Sequence, residues 1–586
     1  MTDLSLFHRP SFGQKIQNIQ NPAIAVALFA AMFAHSVRFE GRSLDFTPPT
    51  TAAPPTYDIE TYTHFQNLAY KLVQQSLDES SEALSQAAKL SLLQGIALIT
   101  LNDFLRGAHT RPSSLLGTSI QLAYELHLHL VDFQAPGQSH SIGPNLSRWA
   151  ADEERRRCWW ALWKIDNFSS MIRRCPTAIN ARLVETYLPV PDVVWFNNHF
   201  QASCMLESLP QKRAKALKDS GNESPDAWQI VISSIVRDAQ TLPRGNIHGV
   251  LLNVDLTNAT TDQLCQYFRN SFRKRQTQED PAQVETLVDS LQTITEAIPA
   301  HLTYNGEYLD FGFDALTVSR ESEVRCLHAA QYETYFGLQL AQFMIYHNHA
   351  FDEIVSGAIF ASNTARAGTC SSESAHLPQG LGHCLQAADN ICAIISQCPA
   401  DHVAYVSPYL ASTVWLAASL QILRDLLVVV TDCGETHSKY ALLRAVFEQY
   451  SAFWGTSPAL LENLDSLDAR IRGYCRATAT TTTSSPGSSV RTAHPLQQGR
   501  YIAQDNSFDE LSSGLASTPE DAEQFSRDGC SSRTPAVSTS ASRTRAQLDV
   551  IYDDHLPNLL NFGWDTSVPG DVHPGEELFR CLLSVL

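Results

Sequence analysis

The sequence predicts an all-α fold: a large multi-helix domain followed by a disordered linker and a C-terminal tail. Three observations carry that expectation. Apolar residues recur at three- and four-residue steps through most of the chain up to Cys475, the mark of amphipathic helices. Neither the βαβ alternation of a parallel sheet nor evenly spaced short strands bounded by turn residues occurs, and no fixed-period repeat is visible. After Cys475 the composition shifts to a Ser/Thr/Pro/Gly-rich tract.

The first apolar run, "AIAVALFAAMFA" from Ala23, is shorter than the roughly 20 residues that span a bilayer. It reads as a buried helix, with a cleaved signal peptide as the alternative. The stretch "ADEERRRCWWALWKIDNFSS", Ala151 to Ser170, reads as a helix. There Asp152 pairs with Arg156 and Glu153 with Arg157 at i,i+4, and Asp152, Glu153 and Glu154 offset Arg155, Arg156 and Arg157. Trp159, Leu162 and Trp163 form an apolar stripe with Trp160 alongside, suited to core packing and to a guanidinium over an indole ring.

"SPDAWQIVISSIV" from Ser224 opens with a Ser-Pro helix start. "EDPAQVETLVDSLQTITEAIPAHL" sets Val284, Leu287, Leu291, Ile294 and Ile298 on one face, with Asp280 as cap, Pro281 in the first turn and Pro299 at the end. "SNTARAGTCSSESAHLPQG" from Ser362 reads as a surface loop. "CLQAADNICAIIS" places Leu385, Ala388, Ile391, Cys392 and Ile395 together, and "YLASTVWLAASLQIL" does so for Leu410, Val414, Ala417 and Leu420. "LLVVVT" from Leu426 has a β-branched bias but continues the helical period.

The domain boundaries expected are 1–475 for the helical domain, 476–545 for the linker and 546–586 for the tail. The linker cannot bury enough apolar area to offset its ordering entropy. In the tail, acids including Asp549, Asp565, Glu576 and Glu577 interleave with Ile551, Leu559, Phe562 and Trp564, against the single Arg580. Such a segment folds on a coactivator groove or docks back on the domain as a last helix.

A net charge of −19 and a pI near 5.5 argue against binding a polyanion over the whole chain. Thirteen cysteines, scattered singly from Cys158 to Cys581 without a C-x-x-C pair, fit a reducing compartment. No phosphate-binding glycine loop, nucleophile elbow or H-E-x-x-H occurs. His127 with His129 and His347 with His349 stand at i,i+2, which on a helix points two ligands apart. "YDDH", Tyr552 to His555, is an acid pair lying beyond the linker and reads as solvated. No catalytic, cofactor-binding or metal-ligating residue is therefore assigned. A helical metal-dependent enzyme using these His or Asp pairs is the alternative class.

The ordered motifs resemble the regulatory, or middle homology, domain of fungal-specific transcription factors, which usually follows a zinc binuclear cluster. "LSLFHRPSF" is similar to the family's entry motif at Phe7, His8, Pro10 and Phe12. "LLGTSIQLAYELHLHLVD" matches at Gly117, Ala123, Leu126, Leu128 and His129. "EERRRCWWALWKIDNFSSMIRRCPTAI" matches at Arg155, Arg156, Arg157, Trp159, Trp160, Asp166, Ser170 and Pro176, and "LPVPD" follows from Leu188 to Asp192. The likeness covers roughly Leu4 to Tyr474. Two departures stand out: His127 replaces a glycine, and Arg174-Cys175 replaces Gly-Arg.

The resemblance implies a nuclear transcription regulator, not an enzyme, in fungi often serving metabolic or secondary-metabolite genes. It implies partners in the transcription machinery or a coactivator, and a homo- or heterodimer with another zinc-cluster regulator, with no membrane. A zinc cluster needs six cysteines in two C-x2-C-x6-C halves, and here the first cysteine is Cys158. The expectation is thus no cofactor in this chain, zinc entering only with an upstream cysteine cluster. Either such a module is left out of this sequence, or a natural isoform lacks it, or the protein acts without it and reaches DNA only indirectly, paired with an intact regulator.

Overall fold

Prolines and short polar side chains set where the helices begin. Asn21 caps the helix Pro22–Ser36 by accepting from the Ala23 amide at 2.9 Å, and Ser85 caps Gln86–Leu105 by accepting from Ala88 at 3.2 Å. Pro210, Pro225, Pro281 and Pro458 each open a helix, where a missing N–H costs nothing. The computed structural model describes residues 4–39, 58–78, 84–107, 110–133, 145–173, 175–242, 281–312, 318–367, 379–427 and 433–482.

Fifteen α-helices lie within them: α1 (Phe12–Gln17), α2 (Pro22–Ser36), α3 (Ile59–Asp78), α4 (Gln86–Leu105), α5 (Thr110–Glu125), α6 (Leu146–Arg173), α7 (Asp192–Phe196), α8 (Pro210–Asp219), α9 (Pro225–Gln240), α10 (Pro281–Ala297), α11 (Val318–Ala367), α12 (Gln379–Ile395), α13 (Leu410–Leu427), α14 (Cys433–Trp454) and α15 (Pro458–Thr482). No strand occurs among the described residues, only an isolated antiparallel bridge between Tyr187 and Met205. The all-α expectation holds.

α4 is the hub of the N-terminal half. It is buried on every side from Ser91 to Leu105 and packs against α2, α3, α5 and α6. A helix apolar all round belongs inside a core, and its few polar residues must find partners there. Asp103 and Asn102 do: Asp103 takes Arg111 through two bonds of 2.9 Å, and Asn102 meets His35 at 3.1 Å. α9 links this half to α10 and α11, and α11 to α14 complete the domain by packing in sequence order. Trp454 at the end of α14 returns to α2, its ring 5.9 Å from His35, while its Nε1 donates to the Val403 carbonyl at 2.8 Å.

Several expectations change. The run from Ala23 is a helix buried on its inner face only, since Val26 and Phe33 are exposed. The loop expected from Ser362 begins as helix, because α11 continues to Ala367. α15 likewise runs past Cys475 to Thr482. Asp280, Val428 to Thr431, and the tail with its Asp553-Asp554 pair lie outside the described residues, as does almost all of the linker.

His127 shows what a local departure costs. It ends α5 in the left-handed region, with φ 55° and ψ 35°, where a Cβ meets the following carbonyl. Glycine, the residue the resemblance expects there, carries no such penalty. His127→Gly should therefore raise stability by about 0.5–1 kcal/mol, after loss of the 2.9 Å bond from its Nδ1 to the Glu125 carbonyl. Urea unfolding checks the sign; a lower midpoint would show that the imidazole bond outweighs the backbone cost.

Candidate functional site

The motif residues converge on the first half of α6. Burial of Glu153, Arg156 and Arg157 together, with no water-facing side, demands internal partners for every charge. Glu153 accepts from Arg157 Nε at 3.0 Å, from Arg156 Nη1 at 3.2 Å and from the Val190 amide at 2.9 Å. Arg157 then donates through Nη2 to the Val190 carbonyl at 2.5 Å and pairs through Nη1 with Asp192. Its guanidinium lies 4.2 Å from the centre of the Trp195 ring. Val190 and Asp192 belong to the "LPVPD" segment, so that motif is held by one Glu-Arg pair on α6.

Arg156 reaches the turn after α5, making two bonds to Asp132 at 2.6 and 2.9 Å, and Asp132 also accepts from the Tyr187 amide at 2.8 Å. Asp152 pairs instead with Arg155 at 3.6 Å and Arg148 at 3.7 Å, which corrects the Asp152–Arg156 pairing expected from spacing. The long-range acid outcompetes the helical neighbour because its two oxygens match the guanidinium fork. Arg155 is half-buried and donates to the Leu126 carbonyl at 3.0 Å. The Glu153–Arg157 pairing is as expected.

The N-terminal segment lies across this same site. Leu6 is buried, and its carbonyl accepts from Gln94 at 2.7 Å. Ser5 donates to Asp192 at 3.0 Å. His8 donates from Nε2 to the Trp195 carbonyl at 3.1 Å and meets the Ser11 hydroxyl with Nδ1 at 2.8 Å. Lys15 reaches both Glu154 and Gln94 at 2.5 Å. The entry motif, the arginines and "LPVPD", far apart in sequence, are one interlocked cluster.

The second half of α6 anchors the turn that follows it. Asp166 accepts from the amides of Ala178 and Ile179 at 3.0 and 2.9 Å, and Ser170, one helical turn on, donates to the Cys175 carbonyl at 2.5 Å. Their i,i+4 spacing puts both side chains on the face beneath that turn. Trp159, Trp160 and Trp163 are buried, and Trp160 Nε1 donates to the Tyr187 carbonyl at 2.7 Å.

Burial pushes the Glu153 and Asp166 carboxyls up, against the pull of Arg157 and Arg156 on the first and of two backbone amides on the second. It also pushes the Cys158 thiol up to about 12. Burial works against the charge of Arg157 as well, yet Glu153 and Asp192 hold it above the usual guanidinium range. This chemistry fixes geometry; it leaves these guanidinia no free donors in water for a phosphate backbone.

His127 and His129 do come together, because His127 lies in the left-handed region and the pair is not on a continuous helix, which corrects the expectation that their spacing points them apart. His127 and His129 have ring centres 6.3 Å apart with nearly parallel planes, and His347 donates to the Met344 carbonyl at 2.8 Å. Among the described residues no group of three or more His, Cys, Asp or Glu could hold a metal ion. Sequence reasoning missed Asp132, Gln94 and the strap bonds of Ser5, because nothing in local spacing reveals a partner dozens of residues away.

Comparison with known proteins agrees with this arrangement. Residues 3–292 match a family model described as fungal specific transcription factor domain, a span that includes the entire cluster. A pigment biosynthesis transcriptional activator, pigB of Monascus ruber, is 24% identical over 136 residues, covering 23% of this chain and 24% of that protein. An uncharacterized transcriptional regulatory protein of Schizosaccharomyces pombe is 20% identical over 497 residues, covering 79% of this chain and 46% of that protein. The chain thus spans less than half the length of either relative. No solved structure matches.

Proposed function

Since residues 3–292 are a fungal specific transcription factor domain, we propose that the protein is a nuclear regulator of transcription in a fungus, working through this helical domain. The family is one of transcription regulators, which are not enzymes. The match carries the reading, and the structure supports it by the way Arg155 to Arg157, Asp166, Ser170 and Leu188 to Asp192 meet in one buried cluster inside the matched span. The target genes belong to a metabolic or secondary-metabolite set, a reading supported by the Monascus ruber relative, a transcriptional activator of pigment biosynthesis.

DNA contact comes from a zinc-cluster module outside this sequence, ahead of it or on a partner regulator, because its first cysteine is Cys158. Transcriptional output comes from residues 546–586, whose acids keep interspersed Leu, Phe and Trp accessible to a coactivator. The test tethers the full chain to an unrelated DNA-binding module upstream of a reporter in a fungal host. Reporter output should rise, and removing residues 546–586 should return it to background. A tethered full chain that leaves the reporter unchanged in either direction would overturn the regulator reading. A reporter still active without residues 546–586 would move the activating surface to the helices.

A further inference from the structure

α10 and α11 leave a half-open cavity of about 300 Å³ between them. Pro281, Val284, Glu285 and Val288 line it from the start of α10, and Tyr346 and His349 line it from α11. The four α10 positions stand at i, i+3, i+4 and i+7, so they share one face of the helix. Leu287 and Ile294 of the same helix go fully into the core, whereas Val284 and Val288 stop half-buried at the cavity wall. The opposite wall is fixed before any guest arrives. Tyr346 stacks on His383 of α12, with ring centres 4.1 Å apart and planes 15° from parallel. Gln342, one turn earlier on α11, donates to the His383 carbonyl at 3.1 Å and ties the same two helices together.

Volume limits the size of the guest. At ~30 Å³ each, about ten waters fill the space, so it takes a molecule of on the order of ten non-hydrogen atoms. A helix about 10 Å across does not enter. Charge limits the sign of the guest. Among the described lining residues Glu285 is the one carboxylate, exposed at the rim, and none is Lys or Arg. The amide dipoles at the start of α10 favour an anion there, and Glu285 already supplies it. A tyrosine ring in the wall attracts a cation, and a chain of net charge −19 concentrates cations and repels anions. Pro281, Val284 and Val288 require the rest of the guest to be apolar. We propose that this cavity binds a small organic amine, its ammonium group on Glu285 and its apolar body against the two valines and the Tyr346 ring. His349 adds a ring nitrogen as a second polar contact.

The site is independent of the regulator reading, because its readout is binding to the purified full chain. Calorimetric titration with 2-phenylethylamine should give one site with a Kd of about 100 μM. Phenylacetate, of the same shape and opposite charge, should bind at least about tenfold more weakly. Glu285→Gln should weaken the amine about fivefold and leave the neutral analogue 2-phenylethanol unchanged, with an unaltered thermal unfolding curve. Glu60→Gln, which removes the same charge from an exposed site on α3, should leave amine binding as in wild type. At saturating amine, hydrogen exchange should slow across 281–288 and 343–349. Absence of amine binding, phenylacetate binding as tight as the amine, or a Glu285→Gln chain that binds the amine like wild type would overturn the proposal. An equal loss in Glu60→Gln would do the same, since it would reduce the binding to diffuse attraction by an acidic chain.

Discussion

Arg157→Ala should cost about 3–5 kcal/mol, a large share of the roughly 5–15 kcal/mol that holds a folded domain. The loss goes beyond one pair. Removing the guanidinium leaves Glu153 buried beside Arg156 alone, frees the Val190 carbonyl and Asp192, and strips the cation from the Trp195 ring. Arg156→Ala should follow closely, since it leaves Asp132 with the Tyr187 amide in place of a guanidinium while Glu153 keeps Arg157. Arg155→Ala should cost only about 1 kcal/mol, because its half-exposed side chain gives up a bond to one carbonyl and an ion pair at 3.6 Å. Chemical denaturation of the three variants should therefore rank them 157, 156, 155. Equal and small effects would mean that the arginines serve a surface, and the burial argument would fall.

The ranking bears on function. If the arginines read nucleic acid, each substitution would lower affinity and reduce its salt dependence while leaving stability alone. The structure assigns them the opposite role, holding the N-terminal strap, the turn after α5 and the "LPVPD" segment in one register.

How much of this was legible in the sequence differs by range of interaction. Helices were legible wherever one face is apolar, as in α10 and α12, because a 3.6-residue period is a local property. α6 was legible to its tryptophans and to the Glu153–Arg157 pair for the same reason. The partner of Arg156 was not: Asp132 sits beyond a left-handed turn, and spacing offered Asp152 as a nearer candidate. The extension of α11 through "SNTARA" escaped because Ser, Asn and Thr disfavour helix only weakly, a bias the continuing helix overrides. The exposure of α2 escaped because an apolar run says that a face will be covered, not by what.

Acidification should destabilise the domain through two buried histidines. His35 is held neutral by burial and by nearby Arg38, its pKa lowered to about 3, and its Nδ1 donates to Asn102. Burial lowers His402 to about 4; its Nδ1 donates to the Pro399 carbonyl, so Nε2 accepts from the Tyr332 hydroxyl at 3.1 Å. In the unfolded chain each takes up a proton near pH 6.5, whereas in the fold each waits until about 3 or 4. Between those values the unfolded state binds more protons, so stability is full above pH 6.5 and falls as the pH drops. At pH 5 each histidine should have cost about 2 kcal/mol. The raised carboxyls of Glu153 and Asp166 act in the opposite sense, gaining as the pH falls, so wild-type pH dependence alone does not isolate the histidines. His402→Gln and His35→Gln do, provided each variant is compared with itself at pH 7 and pH 5, which cancels the cost of the substitution. Each should shrink the fall in unfolding free energy by about 2 kcal/mol, read from urea titrations at the two pH values. A fall of wild-type size in both variants would place the acid sensitivity elsewhere and show that these rings are protonated in the fold as readily as in water.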